Sequence, residues 1–260
     1  MKLGCFGFAR HIPLIERAGF DSAELDIMEI VSMTPSQFAE LKSMALDSRL
    51  GFEAFSGFMP LTERIHREDF DMQRWWDHAE AAADRTAQLG ACLWPFGAGK
   101  CRSIPEDCAD VKGVKAKIAE FVAGICDRIA PYGIMLAVEP LGPANSNYLQ
   151  TIGEAVEFAK CLQKPNCWVM CDLRHMQKVG ESLDDIIAYK DWIIHAHIDH
   201  PLGTERLFPK KDDGYDYTPY IQALKNAGYN GILSVEATSY NDFWEDATSC
   251  VALLVALGAR

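Results

Sequence analysis

The chain has 260 residues, of which 49% are hydrophobic and 24% charged, as in an ordinary soluble globular protein. Its formal net charge of −12 at pH 7 repels nucleic acid and anionic membranes, which argues against both as partners. No apolar stretch is long enough for a membrane span, and residues Met1 to Phe6 lack the apolar core of a signal peptide, so a cytoplasmic location is expected.

Short apolar runs alternate with helical stretches along the chain, and several helical stretches end in a glycine, as helix-to-strand connections commonly do. The first predicted elements are strand one (Lys2 to Phe8), helix one (His11 to Ala18), strand two (Ser22 to Ile27), helix two (starting at Thr34-Pro35), strand three (Gly51 to Phe58), helix three (Asp71 to Leu89) and strand four (Ala91 to Phe96). The later ones are helix four (Val111 to Ala130), strand five (Met135 to Glu139), helix five (Ile152 to Leu162), strand six (Trp168 to Asp172), helix six (Leu183 to Tyr189), strand seven (Ile193 to His197), helix seven (Pro219 to Ala227), strand eight (Ile232 to Glu236) and a last helix (Asp242 to Leu257).

This alternation indicates an α/β fold with a parallel sheet, and its length favours a closed (β/α)₈ TIM barrel over an open sheet. No linker or low-complexity segment interrupts the pattern, so residues 1–260 are expected to form a single domain. The loop Gly97-Ala98-Gly99-Lys100 has the spacing of neither a phosphate-binding loop nor a dinucleotide fingerprint. We interpret it as an ordinary loop at the barrel mouth, with Lys100 as a candidate substrate contact.

The nine cysteines include no Cys-x-x-Cys pair. Several of them, such as Cys92, Cys126 and Cys171, lie in apolar runs. This pattern indicates reduced, buried cysteines that behave as small hydrophobic residues, and it argues against a disulfide framework.

Four strands of the second half end on a metal-type ligand, namely Glu139, Asp172, His197 and Glu236. Any one of them alone is more simply a helix cap or a buried polar group. Together they are expected to converge, because the strand ends of a parallel barrel meet at one face. Three carboxylates and one imidazole suit a hard or borderline divalent cation, so Mn²⁺ is expected, with Mg²⁺, Co²⁺ and Zn²⁺ as alternatives.

Other side chains are expected near the same face. His175 lies on the loop after strand six, and Arg206 lies on the loop after strand seven. His195 has the same parity as His197 and is interpreted as a packed, hydrogen-bonded residue below the metal, whereas His200 is expected in solvent. Aromatic residues near the strand ends suit a pocket wall and a core equally well; they are Phe8, Phe96, Trp168 and Trp94, the last being a candidate substrate contact.

Several short motifs carry a family resemblance. They are Val138-Glu139-Pro140-Leu141, Cys171-Asp172 with His175, His195-x-His197, and Gly228-Tyr229 followed by Val235-Glu236. The chain resembles the xylose isomerase-like barrel superfamily and, within it, the sugar isomerase and epimerase branch that includes the D-tagatose and D-psicose 3-epimerases. The resemblance extends over nearly the whole chain and is most specific from Glu139 onward.

The resemblance implies a role for each matched position. It implies Glu139, Asp172, His197 and Glu236 as metal ligands, and His175 and Arg206 as contacts to substrate oxygens. One position departs from the pattern, because Asn145 stands where the epimerases usually have a glutamate. The substrate therefore stays open.

The expected function is a metal-dependent sugar isomerase or epimerase that acts on a small keto-sugar or related polyol. A cation polarises the carbonyl and stabilises an enediolate, while Glu139 and Glu236 serve as the acid/base pair. Epimerisation, aldose–ketose isomerisation, and dehydration of a keto-sugar or keto-inositol share this first step, so all three stay open. Assembly into a homo-oligomer is also left open.

Two functions of other classes are weighed against this one. Apurinic endonucleases use the same barrel with a trinuclear zinc site, but the ends of strands three and four carry no histidine, and the acidic net charge disfavours DNA. A non-catalytic sugar-binding barrel is disfavoured because all four predicted ligands are present.

Overall fold

The computed structural model describes residues 1–260, with eight strands at its centre. The strands are β1 (Lys2–Gly7), β2 (Ser22–Asp26), β3 (Phe55–Ser56), β4 (Leu93–Phe96), β5 (Met135–Val138), β6 (Cys167–Asp172), β7 (Ile193–Ile198) and β8 (Ile232–Val235). They pair in parallel in the order β3-β2-β1-β8-β7-β6-β5-β4. A parallel bridge between Ala54 and Leu93 joins the β3 end to β4. The predicted (β/α)₈ barrel is confirmed.

Ten α-helices surround the strands. They are α1 (Ile12–Ala18), α2 (Ile27–Ser32), α3 (Pro35–Asp47), α4 (Met72–Ala87), α5 (Val111–Ile129), α6 (Ile152–Leu162), α7 (Leu173–Val179), α8 (Asp184–Ala188), α9 (Thr218–Asn226) and α10 (Phe243–Ala256). Short 3₁₀ segments occur at Ala9–His11, Gly99–Arg102 and Ala130–Tyr132. None of the helices combines the length and the apolar character that crossing a membrane requires.

Local capping explains where two of these helices begin. Thr34 accepts a hydrogen bond from Gln37 N, and the Gln37 side chain accepts one from Thr34 N, which starts α3 where the sequence predicts. Asp172 accepts a hydrogen bond from His175 N at 3.0 Å and starts α7, a helix that the sequence analysis missed. His175 therefore lies in a helix, which corrects its predicted place on a loop.

Strand β3 is much shorter than its predicted range, Gly51 to Phe58. The carbonyl of Glu53 accepts hydrogen bonds from both Cys92 N and Leu93 N, at 2.9 and 3.0 Å. One carbonyl facing two donors interrupts the regular ladder at the point where the sheet closes into a barrel. Most of the apolar run is buried, but Gly57 is exposed with a left-handed φ of 71°, and the run forms few ladder pairs.

The core consists of an outer layer between strands and helices and a small layer inside the barrel. The inner layer is the apolar cluster of Ala54, Leu93, Ala137 and Met170. Ala137 and Met170 each precede a predicted ligand by two residues on the same strand face, so this cluster forms the floor beneath the ligands.

All nine cysteines are free, as predicted, and six of them are buried. Cys92 is the exception among the three cysteines predicted to be buried, because its side chain is exposed. It stands just before β4 begins.

Candidate active site

The four predicted ligands meet at the carboxyl end of the barrel. Their donor atoms all lie within 4.8 Å of one another, and Glu139, Asp172 and His197 are buried. His197 Nδ1 is 3.6 Å from Glu139 Oε1, 3.8 Å from Asp172 Oδ2 and 3.3 Å from Glu236 Oε2. Ligands placed about 2.1 Å from one ion lie roughly 3 to 4 Å from each other. The spacing is therefore that of a cation site.

The hydrogen bonding of these residues also fits a cation. Glu139 Oε1, Asp172 Oδ2 and His197 Nδ1 are buried and have no hydrogen-bond partner. Buried polar atoms without a partner are rare, and these three face one another. A divalent ion would satisfy all three at once, and oxygen-rich donor sets of this kind suit Mn²⁺, Mg²⁺ or Zn²⁺.

Glu24, which the sequence analysis missed, orients the histidine ligand. Its carboxylate lies 3.1 Å from His197 Nε2 and 2.9 Å from His195 Nε2. Because the carboxylate of Glu24 only accepts, Nε2 is the nitrogen that donates to it, and Nδ1 is the nitrogen that faces the three carboxylates. The sequence did contain a signal for this role. Glu24 is an acidic residue in the middle of a buried strand, and a buried carboxylate needs a partner.

Electrostatics around His197 favour positive charge. Burial alone would raise the pKa of Glu24, but His197 and His195 lower it well below its ordinary value, so Glu24 is ionised. Burial alone would lower the pKa of His197, yet Glu24 and Glu236 raise it well above its ordinary value. The ring is surrounded by carboxylates whose charge a cation would compensate.

His175 and Arg206 lie beside the ligands. Gly142 N donates to His175 Nδ1 at 3.1 Å, and His175 Nε2 lies 3.7 Å from Glu139 Oε1. Arg206 donates to Glu236 Oε2, and its Nη2 is 2.9 Å from His175 Nε2. An imidazole and a guanidinium thus lie side by side at the edge of the ligand cluster.

A buried ion pair holds the loop that carries Arg206. Arg174 on α7 donates to Asp199 Oδ2 at 2.7 Å, and its guanidinium also donates to the carbonyls of His200 and Glu205. The loop between β7 and α9 is thereby fastened to α7.

Three of the ligands, Glu139, His197 and Glu236, line a cavity of about 600 Å³, within the usual range for a small-molecule site. The lining also includes Phe58, Met59 and Phe96, together with Asn145. Gly97 permits the close approach of Glu139, because a Cβ there would lie 2.3 Å from Glu139 Oε2. The cavity thus combines the ligand side chains with apolar ones.

Several predicted neighbours of the site lie elsewhere. Trp94 does not line the cavity; it is 1% exposed and packs towards α4, where its Nε1 donates to Thr86 Oγ1. It points outward because its neighbour Leu93 faces the barrel interior. Lys100 lines a second, adjacent cavity instead. His200 is buried against Tyr217, not solvated, while His195 is buried and hydrogen-bonded as interpreted.

Of the other aromatic residues predicted near the strand ends, one lines the cavity and two pack elsewhere. Phe96 lines the cavity, whereas Phe8 packs beside His11, and Trp168 lies 5.7 Å from the ring of Trp192.

The chain is similar to known sugar-converting enzymes. A ketose 3-epimerase of Arthrobacter globiformis is 23% identical over 258 residues, covering 92% of this chain and 84% of that protein. A D-psicose 3-epimerase of Agrobacterium fabrum is 28% identical over 245 residues, covering 88% and 78%. The crystal structure of a D-psicose 3-epimerase in the presence of D-fructose has the same fold, with a TM-score of 0.83, 21% identity and 100% of both chains covered. The model of the xylose isomerase-like TIM barrel family matches residues 12–251, and the chain belongs to that family.

Proposed function

We propose that this protein is a divalent-metal-dependent sugar isomerase or epimerase, which moves a proton next to the carbonyl of a keto-sugar or related polyol. The observation that carries this proposal is the position of two glutamates. Glu139 follows β5 and Glu236 follows β8, and both face His197 Nδ1, at 3.6 and 3.3 Å. Two carboxylates that approach one centre from different strands suit removal and return of a proton.

A divalent cation held by Glu139, Asp172, His197 and Glu236 would supply Lewis-acid polarisation of the substrate carbonyl and its neighbouring hydroxyl. Mn²⁺ is the expected ion, since oxygen ligands predominate, and Mg²⁺, Co²⁺ and Zn²⁺ are the alternatives. The names of the ketose and D-psicose 3-epimerases that resemble this chain support a ketose as substrate.

The protein's own groups then have distinct tasks. Although burial favours its neutral form, Arg206 and His197 lower the pKa of Glu236, so it is ionised and able to accept a proton. Glu139, which follows a different strand, returns the proton. Arg206, with His175 beside it, contacts the substrate oxygen on which negative charge develops and stabilises that charge.

The site leaves the fate of the enediolate open to test. Return of the proton to the opposite face of the same carbon is epimerisation, and return to the neighbouring carbon is isomerisation. Loss of a β-hydroxyl from a keto-sugar or keto-inositol would make the protein a lyase. We favour the isomerase class because both proton-transfer groups flank the centre and the resembling proteins are 3-epimerases.

The first experiment measures uptake of solvent deuterium into a panel of ketoses and keto-inositols by NMR, with Mn²⁺, Mg²⁺, Co²⁺ or Zn²⁺ added. Exchange is expected at the carbon next to the carbonyl. Glu236→Gln is expected to lower it by about 100- to 10,000-fold. Glu80→Gln, at an exposed position on α4, is the matched control and should retain full exchange.

Other outcomes have clear meanings. Undiminished exchange in Glu236→Gln would remove Glu236 from the acid/base pair. Exchange accompanied by a product lighter by one water would identify a dehydratase. A sugar that binds to the metal-loaded protein without any exchange would favour the non-catalytic binding barrel.

A further inference from the structure

A second cavity of about 390 Å³ adjoins the ligand-bearing one. Asn145 lines both, so the two cavities are adjacent at that residue. We call this second cavity the annex. Its walls come from the three loops that follow β3, β4 and β5, and its polar lining includes Arg64, His66 and Lys100.

The charge of the annex is opposite to that of the chain. The protein carries a net charge of −12, yet Arg64 and Lys100 bring two cations to the same small cavity. Neither has a carboxylate within 4.0 Å. Arg64 Nη1 donates only to the carbonyls of Leu61 and Glu63, and the remaining guanidinium N–H groups are free. The single acid in the lining, Glu106, is exposed to solvent, as is Lys100, whereas Arg64 is half-buried.

His66 also lines the annex. Its Nδ1 is buried, out of reach from the cavity, and has no hydrogen-bond partner. The remaining N–H groups of Arg64 and the ammonium group of Lys100 are therefore the groups that an anionic ligand would contact.

Hydrogen bonds between the loops hold the annex in shape. Ile65 N donates to the Cys101 carbonyl at 2.9 Å, which joins the first loop to the second. The Asn147 side chain accepts from Ile104 N at 2.9 Å and donates to its carbonyl at 2.8 Å, which joins the second loop to the third. Binding an anion there would therefore require little ordering of the chain.

The buried Arg102 fixes the third loop to the ligand cluster. It is 1% exposed and donates to the carbonyls of Glu139 and Leu149, at 2.6 and 3.0 Å. The loop from residue 140 to 149, which includes Asn145, is thus anchored at both ends. The position of the annex relative to the ligands is set by the protein and does not depend on the bound molecule.

From this geometry we propose that the annex binds an oxyanion, a phosphate ester or a carboxylate, carried at one end of the substrate's carbon chain. The inference rests on the proposed function, because it names a feature of the substrate of that same site. Arg64 and Lys100 bind the oxyanion. Asn145, where the two cavities meet, is uncharged and therefore does not repel the passing anion.

A neutral sugar extension fits the annex less well. Neutral hydroxyls gain little from two unpaired cations, whereas phosphate and carboxylate oxygens form charge-assisted hydrogen bonds with guanidinium and ammonium groups. The predicted substrate class is thus a sugar phosphate or a keto-uronate.

The test compares deuterium exchange of D-fructose with that of D-fructose 1-phosphate, D-fructose 6-phosphate and D-fructuronate in the metal-loaded enzyme. Comparison of the two sugar phosphates with D-fructuronate shows whether the annex prefers a phosphate ester or a carboxylate. At least one anionic sugar is expected to exceed D-fructose in kcat/KM by about tenfold or more. The ratio of kcat/KM for that anionic sugar to kcat/KM for D-fructose is expected to fall by about tenfold in the double variant Arg64→Gln/Lys100→Gln. It is also expected to fall at high salt, which screens the two cations.

The control variant is Lys190→Gln/Lys225→Gln, which removes the same charge from exposed positions at the other end of the barrel. It should leave the ratio unchanged. Equal ratios in the two double variants would overturn the annex proposal while leaving the proposed function in place.

A titration with inorganic phosphate keeps the two proposals separable if no sugar exchanges. The metal-loaded wild type and the control variant are expected to bind phosphate about tenfold more tightly than Arg64→Gln/Lys100→Gln, the annex variant. Any binding of phosphate to the metal itself is the same in all three proteins and does not affect this comparison. The same affinity in all three proteins would overturn the annex. Absence of exchange together with weaker phosphate binding in the annex variant would refute the proposed function alone.

Discussion

The two halves of the barrel make different contributions to its mouth. Each of β5, β6, β7 and β8 ends on one member of the ligand cluster, at Glu139, Asp172, His197 and Glu236. Strands β1 to β4 contribute no ligand. They supply Glu24, the apolar wall at Phe58 and Phe96, and the loops that carry the annex cations. The second half thus carries the predicted metal ligands, whereas the first supports the histidine and contributes most of the other residues that line the cavity.

The largest effect is expected where a ligand is lost from the second half. Asp172→Asn keeps the shape of the side chain but removes one of three carboxylate charges, so divalent-metal affinity should fall about 100-fold or more. Isothermal titration calorimetry with Mn²⁺ measures this affinity. Asp184→Asn, in the first turn of α8, is the control and should bind metal normally. Unchanged affinity in Asp172→Asn would exclude this residue as a ligand.

A smaller loss is expected from the supporting half. Glu24→Gln retains the size of the side chain but not the charge that fixes the Nε2 hydrogen of His197, so metal affinity should fall about 10- to 100-fold. A purely structural role would instead lower the melting temperature and leave metal affinity intact. Titration and thermal unfolding of the same sample separate the two results.

A substitution on the outer face of β4 is expected to change stability and to leave substrate binding unchanged. Trp94→Phe removes the hydrogen bond to Thr86 and part of the packing against α4, so the free energy of unfolding should fall by about 1 to 2 kcal/mol. KM for a ketose should not change, because Trp94 does not line the cavity. A several-fold rise in KM at full metal occupancy would restore Trp94 as a substrate contact.

The smallest effect concerns Glu181, which lies outside both functional regions. Burial raises its pKa from the ordinary 4.5 to about 7, although Ile152 N donates to it. Because the folded-state pKa is raised, its contribution to stability is full below about pH 4.5 and is lost as the pH rises through 7. The side chain is only partly buried, so we expect about 1 kcal/mol after allowance for solvent.

Glu181→Gln keeps the acceptor for Ile152 N without the charge. At pH 8 its melting temperature should exceed that of the wild type by about 2 to 4 °C, and at pH 4.5 the two should be nearly equal. Differential scanning calorimetry at the two pH values measures this. A difference of the same size at both would contradict the raised pKa.

The sequence by itself determined the fold and the set of residues that meet at the mouth. Strand patterns at regular spacing, each followed by a helical stretch, predict a barrel, and barrel geometry brings strand ends such as Glu139 and Asp172 together. Capping residues such as Thr34 also predicted a helix start, because a cap acts within four residues of sequence. These features depend on local spacing, which a single sequence records directly.

Only the tertiary structure decided which polar groups pair across the barrel. Glu24 and His197 are 173 residues apart in sequence and meet through strand register, which no local pattern reveals. The direction of Trp94 also depends on register, since a shift of one residue exchanges the inner and outer faces of a strand. Likewise, Arg64 and Lys100 form one cavity only because hydrogen bonds join the loops that carry them. Contacts between distant segments depend on how the barrel closes, and that closure is a property of the whole fold.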